Sequence, residues 1–139
     1  MRIIKNIFII AIVSGLLLSC NDETNSDKLD CSSISCTFEL RSIVLEITDA
    51  KGGAVILDDY HSFIGSRTKF KIDKSSDSRF QAFYPVATDS NMDLLEAEGT
   101  IVIFVGIIDG KNVVEHQMLI GKDCCHIQLI EGATEIVVE

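Results

Sequence analysis

The chain has 139 residues, 47% of them hydrophobic, five cysteines, no tryptophan and a formal net charge of −9 at pH 7. That length suits one domain-sized core. So large an excess of acid argues against gripping nucleic acid, whose phosphates would repel it.

The first six residues carry two positive charges, Arg2 and Lys5, and an apolar run from Ile7 to Leu18 follows, broken by Ser14 and Gly15. About a dozen apolar residues fall short of the roughly 20 that a helix needs to cross a hydrocarbon core of about 30 Å. A charged start, a short apolar middle and a small-residue end form the tripartite pattern of an export signal. The run closes on Leu17-Leu18-Ser19-Cys20. These four residues resemble the lipobox of bacterial lipoproteins. In that family the cysteine thiol receives a diacylglycerol, the signal is cut just before it, and the new amine is acylated. The resemblance implies a signal over residues 1–19, lipidation (palmitate-type acyl chains) at Cys20, and a chain held at the cell envelope. Two or three acyl chains hold stably where one holds marginally, since each buried methylene contributes about 0.8 kcal/mol. The alternative readings are an ordinary secretory signal with a chance cysteine, and a cytosolic protein with an apolar first strand.

Next come Asn21-Asp22-Glu23, an acidic stretch that is similar to the surface-export signal of Bacteroidota lipoproteins. It implies the outer membrane, with display at the cell surface. Residues 20–30 are polar apart from Leu29 and read as a solvated tether. Subtracting the two positive charges of the signal from −9 leaves −11 on the mature chain.

From Thr37 onward the hydrophobic period is two. Ile43, Leu45 and Ile47 alternate with Val44, Glu46 and Thr48, as in a half-buried strand. Asp49 to Gly53 reads as a turn, Ala54 to Leu57 as a second strand, and Lys69 to Asp73 as a third. Lys74 to Ser78 is a polar loop, and Phe80, Ala82 and Tyr84 open a further strand. Pro85, the single proline, points to an edge or an end of that strand. Asp89 to Gly99 reads as a loop or a short helix over Met92 to Glu98. Ile101 to Ile108 and Val113 to Ile120 flank Asp109-Gly110, a strong hairpin signal. His126 to Ile130 and Thr134 to Val138 are two last strands around Gly132.

Short strands punctuated by turns, with almost no helical period, predict an all-β protein: a β-sandwich of about seven strands, immunoglobulin-like or transthyretin-like, over residues 31–139. Ile43 to Leu57, alternating and then Thr-Asp-x-x-Gly-Gly-x-Val, resembles the opening of carboxypeptidase-regulatory-like domains, which are transthyretin-like modules. The whole chain is also similar to small Bacteroidota envelope lipoproteins, a resemblance that carries no activity.

With Cys20 assigned to lipid, Cys31, Cys36, Cys124 and Cys125 remain, an even number that suits two disulfides in an oxidising compartment. Cys36 could meet either Cys124 or Cys125 and Cys31 the other, pinning the N-terminal segment to the last hairpins; a vicinal Cys124–Cys125 bond is the alternative. Asp123-Cys124-Cys125-His126 could also join Cys31 and Cys36 around zinc or copper. Adjacent strand residues point to opposite faces, however, and tetrahedral zinc wants ligands fanned about one point. The C-x-x-C of a thioredoxin-like redox site is missing.

Asp89, Asn91 and Asp93 have the D-x-N-x-D spacing that opens an EF-hand loop, but Leu94 and Thr100 stand where glycine and glutamate belong. They are weak calcium candidates, and a solvated loop is the simpler reading. Asp58, Asp59 and His61, beside Tyr60, would suit acid–base chemistry if they met in a cleft. His116 reads as an exposed strand residue. No nucleophile-elbow, HExxH or P-loop pattern occurs. With no tryptophan and two tyrosines, a stacking platform for sugars is less expected.

The sequence therefore predicts a lipid-anchored envelope module without catalytic residues or cofactor, partnered by the membrane through its anchor and by an envelope protein through an edge strand. The alternatives are a calcium- or glycan-binding surface module and an envelope enzyme using Asp58, Asp59 and His61.

Overall fold

The computed structural model describes residues 29–65, 68–69 and 82–139. The signal, Cys20, most of the strand expected over Lys69 to Asp73 and the start of the one expected from Phe80 lie outside these residues. The elements are β1 (Ser42–Asp49), β2 (Asp59–Ile64), β3 (Thr68–Lys69), β4 (Phe83–Thr88), a 3-10 helix (Asp89–Leu94), β5 (Thr100–Ile108), β6 (Lys111–Lys122), β7 (Ile127–Glu131) and β8 (Glu135–Val138). Among the described residues no helix is long and apolar enough to cross a membrane.

The strands form an all-β sandwich of two sheets, ordered β4-β1-β8 and β3-β2-β5-β6-β7. Neighbours pair antiparallel except β1 with β8, which run parallel with Glu46 opposite Glu135 and Asp49 opposite Val138. The alternation read in β1 is the one observed: Ile43, Leu45 and Ile47 are buried, and the residues between them are half-buried. They meet Tyr60 of β2, Tyr84 and Val86 of β4, Val102 and Phe104 of β5, and Met118 and Ile120 of β6 in one core. Tyr60, Tyr84 and Phe104 pack ring to ring, with centroids 5.2 Å apart for the first pair and 5.6 Å for Tyr60 and Phe104.

Asp109 and Gly110 have positive φ of 51° and 72° between the paired residues Ile108 and Lys111. This is the mirror-image two-residue turn whose twist suits a hairpin, and glycine enters its second position without steric cost. Pro85 is tolerated because β4 is an edge strand and because a bulge at Val86, the extra residue of β4, lies next to the Pro85–Val44 pair.

Two expectations change. Ala54 to Leu57 is not a ladder strand. It has one isolated bridge, Thr48 to Ala54, and then crosses from the smaller sheet to the larger. The Tyr84 hydroxyl fastens the crossing, donating to the Val55 carbonyl at 2.8 Å and accepting the Leu57 N–H at 2.9 Å. Leu57 then seats over Gly106, where an added Cβ would lie 2.7 Å from the leucine Cδ1. The next strand is β2, whose inward positions are Tyr60 and Ser62. A buried serine hides the apolar alternation that would have revealed it. The second change is the helix: the 3-10 turns occupy Asp89–Leu94, ahead of the expected span, because Asn91 and Thr88 cap their start.

Tyr84→Phe keeps the ring and strands the buried Leu57 N–H. We expect it to lower unfolding free energy by about 1–3 kcal/mol, read as a lower urea midpoint at unchanged slope.

Candidate functional site

Four chain segments converge at one end of the sandwich: the N-terminal stretch 29–41, the 3-10 helix after β4, the end of β6, and the turn into β7. Every residue from 29 to 42 is exposed. Such a segment has too little side-chain burial to hold it, so its position comes from other bonds.

Two of those bonds are covalent. Cys31 joins Cys124 and Cys36 joins Cys125, with Cα separations of 5.4 and 5.2 Å. Both disulfides expected from the cysteine count are present, and the vicinal and metal alternatives for these four sulfurs are set aside. Cys124 and Cys125 sit in the turn between β6 and β7, not on a strand, and so are free of the opposite-facing geometry of adjacent strand residues. Asp123 shapes that turn. Its Oδ1 accepts the N–H groups of Cys125 and His126, each at 2.7 Å, and Gln128 donates to Oδ2. The N–H donors of Cys125 and His126 hold its carboxyl below the ordinary value, outweighing partial burial.

Asp89 ties the segments together without a covalent bond. Oδ1 accepts Ile127 N–H at 2.9 Å, and Oδ2 accepts Arg41 N–H at 2.7 Å and His126 Nδ1 at 2.9 Å. Burial, with 11% of the side chain exposed, raises its pKa. The Arg41, His126 and Ile127 donors outweigh this and leave the carboxyl below 3.8. His126 is buried, and its Nε2 lies 3.4 Å from the Thr37 hydroxyl.

A carboxylate, an imidazole and a hydroxyl in line have the order of a hydrolytic triad, but the surroundings do not make one. The Thr37 contact is long for an O–H···N bond, and both Asp89 oxygens are engaged in joining chain segments. The two clefts nearby are lined by other residues. One, of about 440 Å³, lies between Met92, Glu96, Glu98, Lys122 and Cys124. The other, about 330 Å³, lies against Leu29, Ile34 and both turn cysteines. Lys122 is held by the Met92 carbonyl at 2.9 Å.

The calcium candidates do not share a ligand sphere. Asp89 is committed as above, Asn91 Oδ1 accepts the N–H and hydroxyl of Thr88, and Asp93 is exposed on the cleft rim. Among the described residues no group of three or more His, Cys, Asp or Glu could hold a metal. Of the Asp58, Asp59 and His61 group, Asp58 is engaged at the hairpin turn and Asp59 and His61 share one face of β2. Asp58 Oδ2 accepts the N–H of Asp109 at 2.7 Å beside the hairpin turn. Tyr60 points into the core, while its strand neighbours Asp59 and His61 take the opposite face. His116, expected to be exposed, is half-buried, with Nε2 2.9 Å from the Ala133 carbonyl.

Sequence reasoning missed Asp89, Asp123 and His126 as a structural unit. The spacing of Asp123 two and three residues before the N–H groups it accepts is an Asx-turn signal and was readable. The reach of Asp89 to His126, 37 residues away, was not. No protein-family model matches this chain, and no curated protein or solved structure matches it.

Two predictions follow from the cross-links and the carboxylate. The first disulfide closes a loop of about 90 residues, worth on the order of 4–5 kcal/mol, whereas the second then closes a ring of only a few residues, worth about 2. Replacing either cystine with alanines should therefore cost about 2 kcal/mol and replacing both about 6–7, measured by guanidinium unfolding. The lowered carboxyls of Asp89 and Asp123 add stability that is present above the unfolded carboxylate pKa and is lost as pH falls through the folded values. Asp89→Asn should lower the melting temperature at pH 7 and shrink the difference between pH 7 and pH 3.

Proposed function

We propose that this protein is a lipid-anchored lipoprotein of the bacterial cell envelope, fixed to the outer membrane through Cys20, with a sandwich that serves as a non-catalytic binding or accessory module. The observation that carries the reading is the distribution of the cysteines. Five are present, four are consumed in two disulfides, and the one left over is the cysteine of the Leu17-Leu18-Ser19-Cys20 motif. Disulfides persist where the surroundings oxidise, which accords with export. A leftover thiol there needs a fate, and acylation supplies one.

The engagement of Asp58 with the Asp109 N–H and of Asp89 with three donors, each in joining chain segments, is in keeping with the non-catalytic part. The charge of −11 on the mature chain supports attachment by lipid, since an acidic domain has no electrostatic attraction for anionic headgroups.

The test is metabolic labelling with a radioactive fatty acid, followed by fractionation. The wild-type chain should take label, shorten by the signal and sediment with membranes. Cys20→Ser should take none and leave the membrane fraction. Equal size, labelling and fractionation for the two would overturn the assignment.

A further inference from the structure

The stretch from Leu29 to Arg41 is held by two disulfides while every one of its residues stays exposed. It carries the two most exposed large apolar side chains of the described residues, Phe38, fully exposed, and Leu40, 68% exposed, with Ile34 and Leu29 about half exposed beside them. Scattered exposed apolar residues are ordinary on strands, where each alternates with an inward neighbour that earns its burial. Here no inward neighbour exists. A fixed segment that adds no residue to the core and presents Phe38 and Leu40 to solvent, with Ile34 and Leu29 half exposed beside them, has the properties of a contact surface.

We propose that this stapled segment is the face the domain lays against a neutral bilayer, with Phe38 and Leu40 entering the headgroup boundary. The proposal rests on the lipid-anchor reading and adds an orientation to it. Two observations favour lipid, and a third sets the kind of headgroup. Eight residues lie between Cys20 and Leu29, so the start of the segment cannot lie farther than roughly 30 Å from the acylated residue. It is also the first described part of the domain beyond that tether, so attachment keeps it at high local concentration near lipid. The charges around it, Asp30, Glu39, Asp93, Glu96, Glu98 and Asp123 against Arg41 and Lys122, are mostly acidic, which selects zwitterionic headgroups over anionic ones.

The chain has no tryptophan, so Phe38→Trp installs a single indole at the proposed contact. Asn112→Trp places one at the opposite end of β6 from the disulfide-bearing turn. Each variant is purified as the full lipidated chain and reconstituted in phosphatidylcholine–phosphatidylethanolamine vesicles with brominated acyl chains. The Phe38→Trp signal should be blue-shifted and quenched at least twofold, the Asn112→Trp signal unquenched. Adding Ile34→Glu and Leu40→Glu should abolish the quenching while mass spectrometry still finds the lipid. Replacing a third of the lipid with phosphatidylglycerol should weaken it. Absence of quenching on a chain of confirmed lipid mass would overturn the orientation and leave the anchor standing. A concentration-dependent blue shift of Phe38→Trp in the unlipidated Cys20→Ser background, without vesicles, would overturn it in favour of a second copy. Absence of lipid on the wild-type chain would remove the anchor reading and this one together.

Discussion

The end of the sandwich depends on a pair of adjacent half-cystines in one turn. Cys124 and Cys125 belong to the β6–β7 connection, which the larger sheet positions firmly, and they reach out to a segment that the sheets do not hold. Without them, residues 29–41 would keep a few hydrogen bonds, chiefly those to Asp89. Each is worth only about 1 kcal/mol net in competition with water. The ordering entropy of a dozen residues exceeds that several times over. Covalent restraint therefore decides whether the surface at this end exists as a defined shape.

Asp89 and Asp123 divide the remaining labour. Asp123 acts locally and sets the turn so that two consecutive sulfurs can leave in the same direction. Asp89 acts at long range, collecting donors from Arg41, His126 and Ile127 at the junction of three segments. Both are carboxylates whose charge is satisfied by N–H groups, and the same chemistry that might suggest a metal or an acid–base site is here used to close the architecture. The two clefts at this end are consequences of where the staple lies, which is why they share Leu29 and Cys124.

Much of the fold was legible because burial on one face writes a two-residue period into the sequence. Ile43 to Ile47 and the Asp109-Gly110 hairpin are instances where period, turn chemistry and structure agree. β2 was hidden because its inward positions are a tyrosine and a serine, the latter buried without a hydrogen-bond partner for its hydroxyl among the described residues. Ala54 to Leu57 was misread because an apolar crossing segment and a short buried strand have the same composition. The Tyr84 hydroxyl that distinguishes them comes from 27 residues downstream of Leu57. At the site, the cysteines announced themselves by number, while Asp89 carried a misleading spacing signal whose true partners are distant in sequence. Local patterns reveal what neighbours do, and this junction is made by residues that are not neighbours.

The consecutive positions of Cys124 and Cys125 also bear on how the protein acquires its covalent form. Exchanging partners, Cys31 with Cys125 and Cys36 with Cys124, would close loops of almost the same length. Chain statistics thus give the correct isomer almost no advantage over the mispaired one. Discrimination falls to the weak contacts around the turn, above all the Asx geometry imposed by Asp123. Oxidative maturation is then an editing problem, in which the geometry of one turn, and Asp123 within it, weighs on the fidelity of two covalent bonds.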